Sequence, residues 1–406
     1  MRQLKSVQFG ADLSALIDRF SPEARHPIAL AVSGGSDSLA LLFLCHAWAA
    51  NANRALIVFT VDHALRPEAR DEAALVAEHC NLLQIPHQSL RWPRPRPSQN
   101  AARRARYRLM ADAMAGVGAN CLLTGHTLDD VIETVFMRRK RGVRGGLSVG
   151  PGLAAPMPAW PEGRDMTLIR PLIRTRRQSL RNHLDELGVS WVEDPSNQNP
   201  QFERVRIRAF FEQHQTVRDG MLPTIVSLQD ERADLDYAIG QLLATVQVRP
   251  DGLIEVADGS YQVRLLGLLA RVASGSDRDP RRSAVAAMVK ALTKPGMRQT
   301  LGGAWFQRIP AGFHIGRDPA ETTETGAPLF DGRFVRDFEA RFPEVHETSF
   351  LLRHARPPDS AWREIVSERI AHMRRCYEAA KEPVCVEQRL ILKPQSPQSE
   401  SRFCKD

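Results

Sequence analysis

Apolar residues along the chain fall into an alternation of short compact runs and longer stretches of helical period. Ile28 to Ser33, Leu56 to Asp62, His87 to Leu90 and Cys121 to Thr124 are short runs rich in β-branched and apolar residues, which predicts four strands. Between them, Ser38 to Ala50, Pro67 to Leu83, Asn100 to Met114 and Leu128 to Arg139 repeat apolar residues at spacings of three and four, which predicts helices. This order implies an α/β fold built on a doubly wound parallel sheet. In such a sheet ligands bind beyond the carboxyl ends of the strands, where Ser33, Asp62 and Thr124 fall.

Further on the pattern loosens. Residues 150–165 (GPGLAAPMPAWPEGRD) are dense in Pro and Gly and predict an excursion loop. Leu168 and Ile169 resume an apolar run, followed by a helix from about Arg176 to Leu187, a strand from Val189 to Glu193, and the turn residues Asp194-Pro195-Ser196-Asn197. A helical stretch from Thr216 to Ala244 leads away from the first unit into a mixed α/β C-terminal region. The end, KPQSPQSESRFCKD, is polar enough to predict disorder. The expected division is therefore 1–215, 216–390 and a tail at 391–406, in keeping with 406 residues exceeding one core.

Composition narrows the class. No stretch approaches eighteen uninterrupted apolar residues, and Asp12 and Asp18 interrupt the N-terminal apolar run, which argues against a membrane span or signal peptide and for a cytoplasmic protein. Cysteines 45, 80, 121, 376, 385 and 404 show neither C-x-x-C nor zinc spacing, so reduced, separate thiols are expected. The net charge of +8 points to a polyanionic partner. Its distribution is more telling: seven arginines and no acid lie between Arg91 and Arg108, and further runs occupy 138–144 and 170–181, all in the first half.

The sharpest local signal is Ser33-Gly34-Gly35-Ser36-Asp37-Ser38, where a strand meets a helix. Consecutive backbone N–H groups at a helix start favour a phosphate, glycines let the anion approach the main chain, and the serines add hydroxyl donors. No lysine follows as a Walker loop requires. Asp37 would repel phosphate unless Mg²⁺ lay between them, so the pattern suits a metal-bound nucleotide. A bare strand-to-helix turn would use the same glycines, and the context decides.

This stretch resembles the S-G-G-x-D-S loop of the PP-loop pyrophosphatase-type enzymes, which adenylate a substrate oxygen. Four more stretches are similar to the tRNA(Ile)-lysidine synthetase family: Val61 to Glu68 (VDHALRPE), Ala101 to Tyr107 (AARRARY), Gly125 to Thr134 (GHTLDDVIET) and Glu193 to Asn197 (EDPSN). The resemblance covers about residues 24 to 210, in order. It implies a PP-loop catalytic unit at 1–215, a tRNA-binding unit at 216–390, and ATP on Ser33, Gly34, Gly35, Ser36, Asp37, Ser38, His63, Gly125 and His126.

On a helix opening near Leu128, Asp130 and Glu133 stand at i,i+3 and Asp129 and Glu133 at i,i+4, so three acids share one arc with His126 at its head. They repel each other and would be relieved by a cation, either nucleotide Mg²⁺, for which Asp37 and Asp129 are the expected ligands, or the ammonium of a lysine substrate. The resemblance assigns lysine recognition and activation to Asp130 and Glu133. Arg103, Arg106 and Tyr107 lie on one helical face suited to phosphate and to stacking, with Arg103 the catalytic candidate. His63 and Arg66 could meet adenine or RNA. The family pattern R-N-x-x-R is matched by Arg204 and Arg208, with Val205 in place of asparagine.

The implied reaction adenylates the wobble cytidine of isoleucine tRNA with anticodon CAU and joins L-lysine to it, releasing AMP and pyrophosphate. The expected partners are that tRNA and L-lysine, with no membrane and with self-association as a homodimer left open. A tRNA cytidine thiolase shares the loop but relies on paired cysteines that this chain lacks. A non-catalytic, nucleotide-gated RNA-binding protein would leave Asp37, Asp130 and Glu133 without a task.

Overall fold

The computed structural model describes residues 2–62, 69–93, 98–159, 162–193, 200–259, 262–276, 279–318 and 359–381. Helix α1 (Arg2–Phe20) precedes β1 (Ile28–Ala31), α2 (Ser36–Ala52), β2 (Leu56–Asp62), α3 (Ala69–Leu82), β3 (His87–Arg91), α4 (Gln99–Val117), β4 (Cys121–Thr124) and α5 (Leu128–Lys140). Then come β5 (Ala154–Pro156), β6 (Thr167–Ile169) and α6 (Arg177–Leu187). The first sheet runs β3-β2-β1-β4-β6-β5, parallel except for the antiparallel edge strand β5. With strand order reversing on either side of β1, the loops after β1 and β4 face each other at the carboxyl edge, where such sheets bind ligands.

Strand alternation builds a core on each face. Ile28, Leu30, Val58, Cys121, Leu123 and Ile169 join α1, α2, α3 and α5 on one side. Ala29, Ile57, Phe59, Leu122 and Leu168 join Tyr107, Met110 and Met114 of α4 on the other. Burial of a side chain such as Phe59, which has no exposed surface, stabilises by about 1.5–3 kcal/mol. The doubly wound reading of the sequence therefore holds.

Three local expectations are corrected, and a fourth, the helical stretch over Thr216–Ala244, holds with a break inside it. β1 ends at Ala31 rather than Ser33, because the Ser33 N–H turns out of the ladder to Ser38 Oγ at 3.1 Å. The expected loop at 150–165 contributes β5, whose backbone pairs with β6, so part of it is sheet. Val189 to Glu193 forms no strand: the Val189 N–H caps α6 at Leu184 O (3.0 Å), and the Val192 N–H donates to Gly34 O (3.1 Å). The helix expected over Thr216–Ala244 is broken into α8 (Gln215–Gly220) and α9 (Leu222–Ala244), preceded by α7 (Glu203–Gln213), and proline stands in the first turn of α9. The tail, the Asp194–Asn197 turn, His63 and Arg66 lie outside the described residues.

Helix α9 belongs to both halves. Its start packs Leu222, Ile225 and Leu228 into the first core, while Ile239 and Leu243 enter a second. That second core lies under an antiparallel sheet of β7 (Gln247–Val248), β8 (Ile254–Ala257), β9 (Arg298–Leu301), β10 (Ala304–Ile309) and β11 (Gly312–Arg317), ordered β7-β8-β11-β10-β9. Helices α10 (Val263–Ser274), α11 (Arg282–Ala291) and α12 (Asp359–Glu378) supply its apolar cover.

Helix α12 also ties the two halves together. One face gives Ile365, Val366, Ile370 and Met373 to the second core. A polar stripe at i, i+4 and i+8 meets the first sheet at the amino end of β6: Glu368 pairs with Arg164, His372 Nε2 lies 3.0 Å from Thr167 Oγ1, and Cys376 Sγ lies 4.0 Å from the same hydroxyl. Arg232 of α9 adds a second tie: it donates to Gly150 O of the first half and pairs at 2.8 Å with buried Asp236, which also pairs with Arg264 of α10.

Candidate active site

The loop after β1 is shaped to bring backbone donors together. Gly34 takes φ +86°, a conformation that costs a residue with a Cβ but not glycine. Ser38 Oγ donates to Gly35 O at 2.9 Å while accepting the Ser33 N–H, which draws the loop into a ring at the start of α2. Among the described residues, the N–H groups of Gly34, Gly35, Ser36 and Asp37 meet no protein acceptor. Four such donors at a helix start form an anion cradle.

Gly125, after β4, touches that loop directly. A Cβ there would stand 2.8 Å from Asp37 O and 3.1 Å from Ser38 Cα, so only glycine allows the two strand ends to approach. Thr127 then caps α5 in a reciprocal box: its N–H donates to Asp130 Oδ2 at 2.9 Å, and its hydroxyl accepts the Asp130 N–H. The box fixes Asp130, and Glu133 one turn later is 3% exposed.

The cation between these acids is one that the sequence reading placed among RNA-facing charges. Arg177, opening α6, lies 2.8 Å from Asp37 Oδ2, 3.4 Å from Asp130 Oδ1 and 3.6 Å from Glu133 Oε1. Arg204 and Arg208 of α7 also turn inward rather than toward solvent. Arg208 Nε bonds Glu133 Oε1 at 2.6 Å, and Arg204 Nε lies 3.2 Å from Glu133 Oε2. Asp129 is diverted from the cluster: its Oδ2 accepts the Arg177 N–H at 2.7 Å and lies 3.4 Å from Arg176 Nε, capping α6 from a neighbouring helix. Both carboxylates expected to hold a metal therefore already meet α6, Asp129 through the Arg177 N–H and Asp37 through the Arg177 guanidinium.

Burial and charge split the carboxylates. Burial raises the Asp37 and Glu133 pKa values despite Arg177 and Arg208 beside them. For Asp130 burial acts in the same direction, but Arg177 and the Thr127 N–H outweigh it and hold the group below the usual range. The same acids push Arg177 further upward, so it stays charged. His126, its Nδ1 2.8 Å from Thr124 Oγ1, is lowered to about 4 by burial and then by Arg170, with Arg103 and Arg204 adding to the effect. It is a neutral imidazole at pH 7.

The remaining predicted residues divide. Arg103 and Arg106 are exposed, and the Arg103 guanidinium lies 5.0 Å over the Tyr107 ring. Tyr107 itself is 3% exposed within the core, so the expectation that it stacks on a substrate base is overturned. Of three further residues near the site, the sequence reading named Arg170 and Arg181 only as members of the basic run 170–181 and did not name Trp191. Arg170 is buried, donates to Gly152 O at 2.8 Å, and is lowered to about 10 by its burial. Arg181 reaches Ser36 Oγ at 3.4 Å and Glu193 at 2.6 Å, and lies 5.6 Å over the Trp191 ring, strapping the 189–193 segment across the loop. An Arg-rich helix after an R-P-L turn was visible, but only tertiary packing shows which way its arginines point.

A parallel sheet whose first loop turns free backbone N–H groups outward beside an aspartate is the arrangement of a PP-loop domain, the class whose family model matches residues 7–214. Two relatives extend the match: tRNA(Ile)-lysidine synthase of Hyphomonas neptunium is 38% identical over 306 residues, covering 74% of this chain and 83% of the relative. The enzyme of that name from Rhizobium meliloti is 37% identical over 349 residues, covering 78% and 74%. The chain belongs to the tRNA(Ile)-lysidine synthase family. A solved U34-tRNA thiolase from Methanococcus maripaludis overlays with a TM-score of 0.44 at 16% identity, covering 56% of this chain and 78% of that one.

Proposed function

We propose that this chain adenylates the wobble cytidine of an isoleucine tRNA with anticodon CAU and transfers L-lysine to it. The observation that carries this reading is the anion cradle at Gly34–Asp37 set against the Asp130 and Glu133 carboxylates across Arg177. In the first step the cytosine O2 attacks the α-phosphorus of ATP and the bond to pyrophosphate breaks. In the second the lysine ε-amine attacks C2, the C2–O2 bond breaks and AMP leaves.

The residues suit distinct tasks. Unpartnered N–H groups of the loop would hold the departing pyrophosphate. Asp37 would be the residue to hold a Mg²⁺ that accompanies the nucleotide, giving up its 2.8 Å contact with Arg177 to do so. When bound, such an ion would neutralise charge on the pyrophosphate. Lysine arrives as an ammonium with pKa about 10.4 and must lose a proton before attack. Asp130, held anionic, suits binding of that ammonium; Glu133, shifted upward by burial, is the better proton acceptor. Both now hold guanidinium groups, and Arg204, 43% exposed, has room to withdraw when an ammonium competes.

We assign the catalytic portion to residues 1–215 and tRNA binding to 216–390, working in the cytoplasm. Among the described residues no helix is long and apolar enough to cross a membrane. The four described cysteines are buried and free, and burial raises the Cys80 thiol to about 11 and Cys121 and Cys376 to about 12, which suits packing rather than sulfur transfer. Nucleoside mass spectrometry of CAU tRNA after incubation with ATP and lysine should show cytidine gaining a lysine; an unchanged cytidine refutes the reaction. Asp37→Ala should abolish tRNA-dependent ATP–pyrophosphate exchange, and full exchange would remove Asp37 from the metal role.

A further inference from the structure

The second sheet has one face on its core and one without. Ala304, Phe306, Phe313 and Ile315 point into the core shared with α10, α11 and α12. Strand alternation turns Trp305 and Gln307 of β10 to the opposite face, where Trp305 pairs in register with Thr300 and Gly316, and Gln307 with Arg298 and His314. Gly316 leaves room for the indole: a Cβ there would stand 2.6 Å from Trp305 Cε2. The Arg298 guanidinium lies over that ring, 4.0 Å from its centroid. Arg298 itself is exposed, so the stack ends in an accessible cation on edge strand β9.

The segment that builds this edge carries one sign of charge, while Glu255 and Asp258 further across the sheet are taken up by His314 and Arg308. From 280 to 317 the chain carries seven arginines and lysines and no aspartate or glutamate. Arg281, Arg282, Lys290, Lys294 and Arg298 are exposed, and none forms an ion pair among the described residues. A surface that gathers cations without their counter-ions, next to an arginine stacked on an indole, matches RNA chemistry. Phosphates take the lysines and arginines, and an unpaired base extends a π or guanidinium stack.

We propose that the edge formed by β9, β10 and α11 docks RNA. An unpaired nucleobase stacks on the open face of Arg298, which Trp305, itself only 9% exposed, backs from beneath, and Lys290, Lys294 and Arg282 hold the flanking phosphates. The surface rests on the tRNA reading above and would engage a part of that tRNA other than the base being modified.

Fluorescence anisotropy on the full chain, with full-length CAU tRNA and with its anticodon stem-loop alone, tests it. Arg298→Glu should weaken full-length tRNA binding about tenfold or more, as expected for one lost stack. Lys290→Glu with Lys294→Glu should lower the slope of log affinity against log salt by about 1 per lost contact. Stem-loop binding should stay unchanged in both variants. Ultraviolet crosslinking of the wild-type complex should place a nucleotide adduct on a peptide from β9 or β10. Unaltered full-length affinity, equal losses for both RNAs, or adducts confined to other peptides would overturn the surface. If the variants behave as expected while wild-type protein leaves cytidine unmodified, the catalytic reading fails and the docking surface stands.

Discussion

A methyl group at position 125 would collide with main-chain atoms of Asp37 and Ser38, which cannot move without opening the anion cradle. Gly125→Ala should therefore leave the protein folded but raise the KM for ATP by roughly tenfold or more, since misplacing preorganised donors is costly. Steady-state kinetics at saturating tRNA would check this, and an unchanged KM would show the contact to be slack. The composition of the site was legible at this scale, because SGGSDS, Asp130 and Glu133 are recognisable by type and spacing. The identity of their cation was not. Arg177 sits 140 positions from Asp37 in the chain, and no periodicity links them.

Helices and strands were legible where periodicity and punctuation agreed. Strands β2 and β4 fall on the expected residues, since each is apolar on both faces of a buried sheet. Val189 to Glu193 misled because an extended apolar stretch reads as a strand whether or not a sheet edge is available; here its amides serve α6 and Gly34 instead. Asp129 illustrates the converse, an acid on a helix that works for another helix. Asp129→Ala removes the acceptor for the first N–H of α6, and should lower stability by about 1 kcal/mol. Asp129→Asn, which keeps an acceptor oxygen, should lie close to wild type. Urea unfolding of the pair would check it, and equal losses would point to charge rather than capping.

Across the whole molecule, the two halves meet through α9 and α12, and the second meeting carries a titratable group. His372 is held to about 4 by burial, with Arg375 and Arg369 nearby, whereas an unfolded histidine titrates near 6.5. Because the folded value is depressed, the docked helix contributes its full stability above about pH 6.5 and loses it as pH falls toward 4. The loss is on the order of 3 kcal/mol. Thermal unfolding between pH 7 and 4 should show a decline in Tm that His372→Gln reduces, and an identical decline in the variant would exclude His372 as its source. The α9 connection was legible as a helical stretch leading out of the first unit, but the α12 meeting was not, since Glu368, His372 and Cys376 look like an ordinary polar stripe until Arg164 and Thr167 are placed against them.

The same helix sets an order on biosynthesis. A ribosome emits β4 and β6 long before it reaches residues 359–378, so the amino end of that sheet, with Cys121 beside Thr167, waits through about half of translation for its cover. Domains form as they emerge, but this one closes last from the far end of the chain. Nascent molecules thus carry a finished nucleotide pocket above an unfinished base, and an early stop codon would leave that base permanently bare.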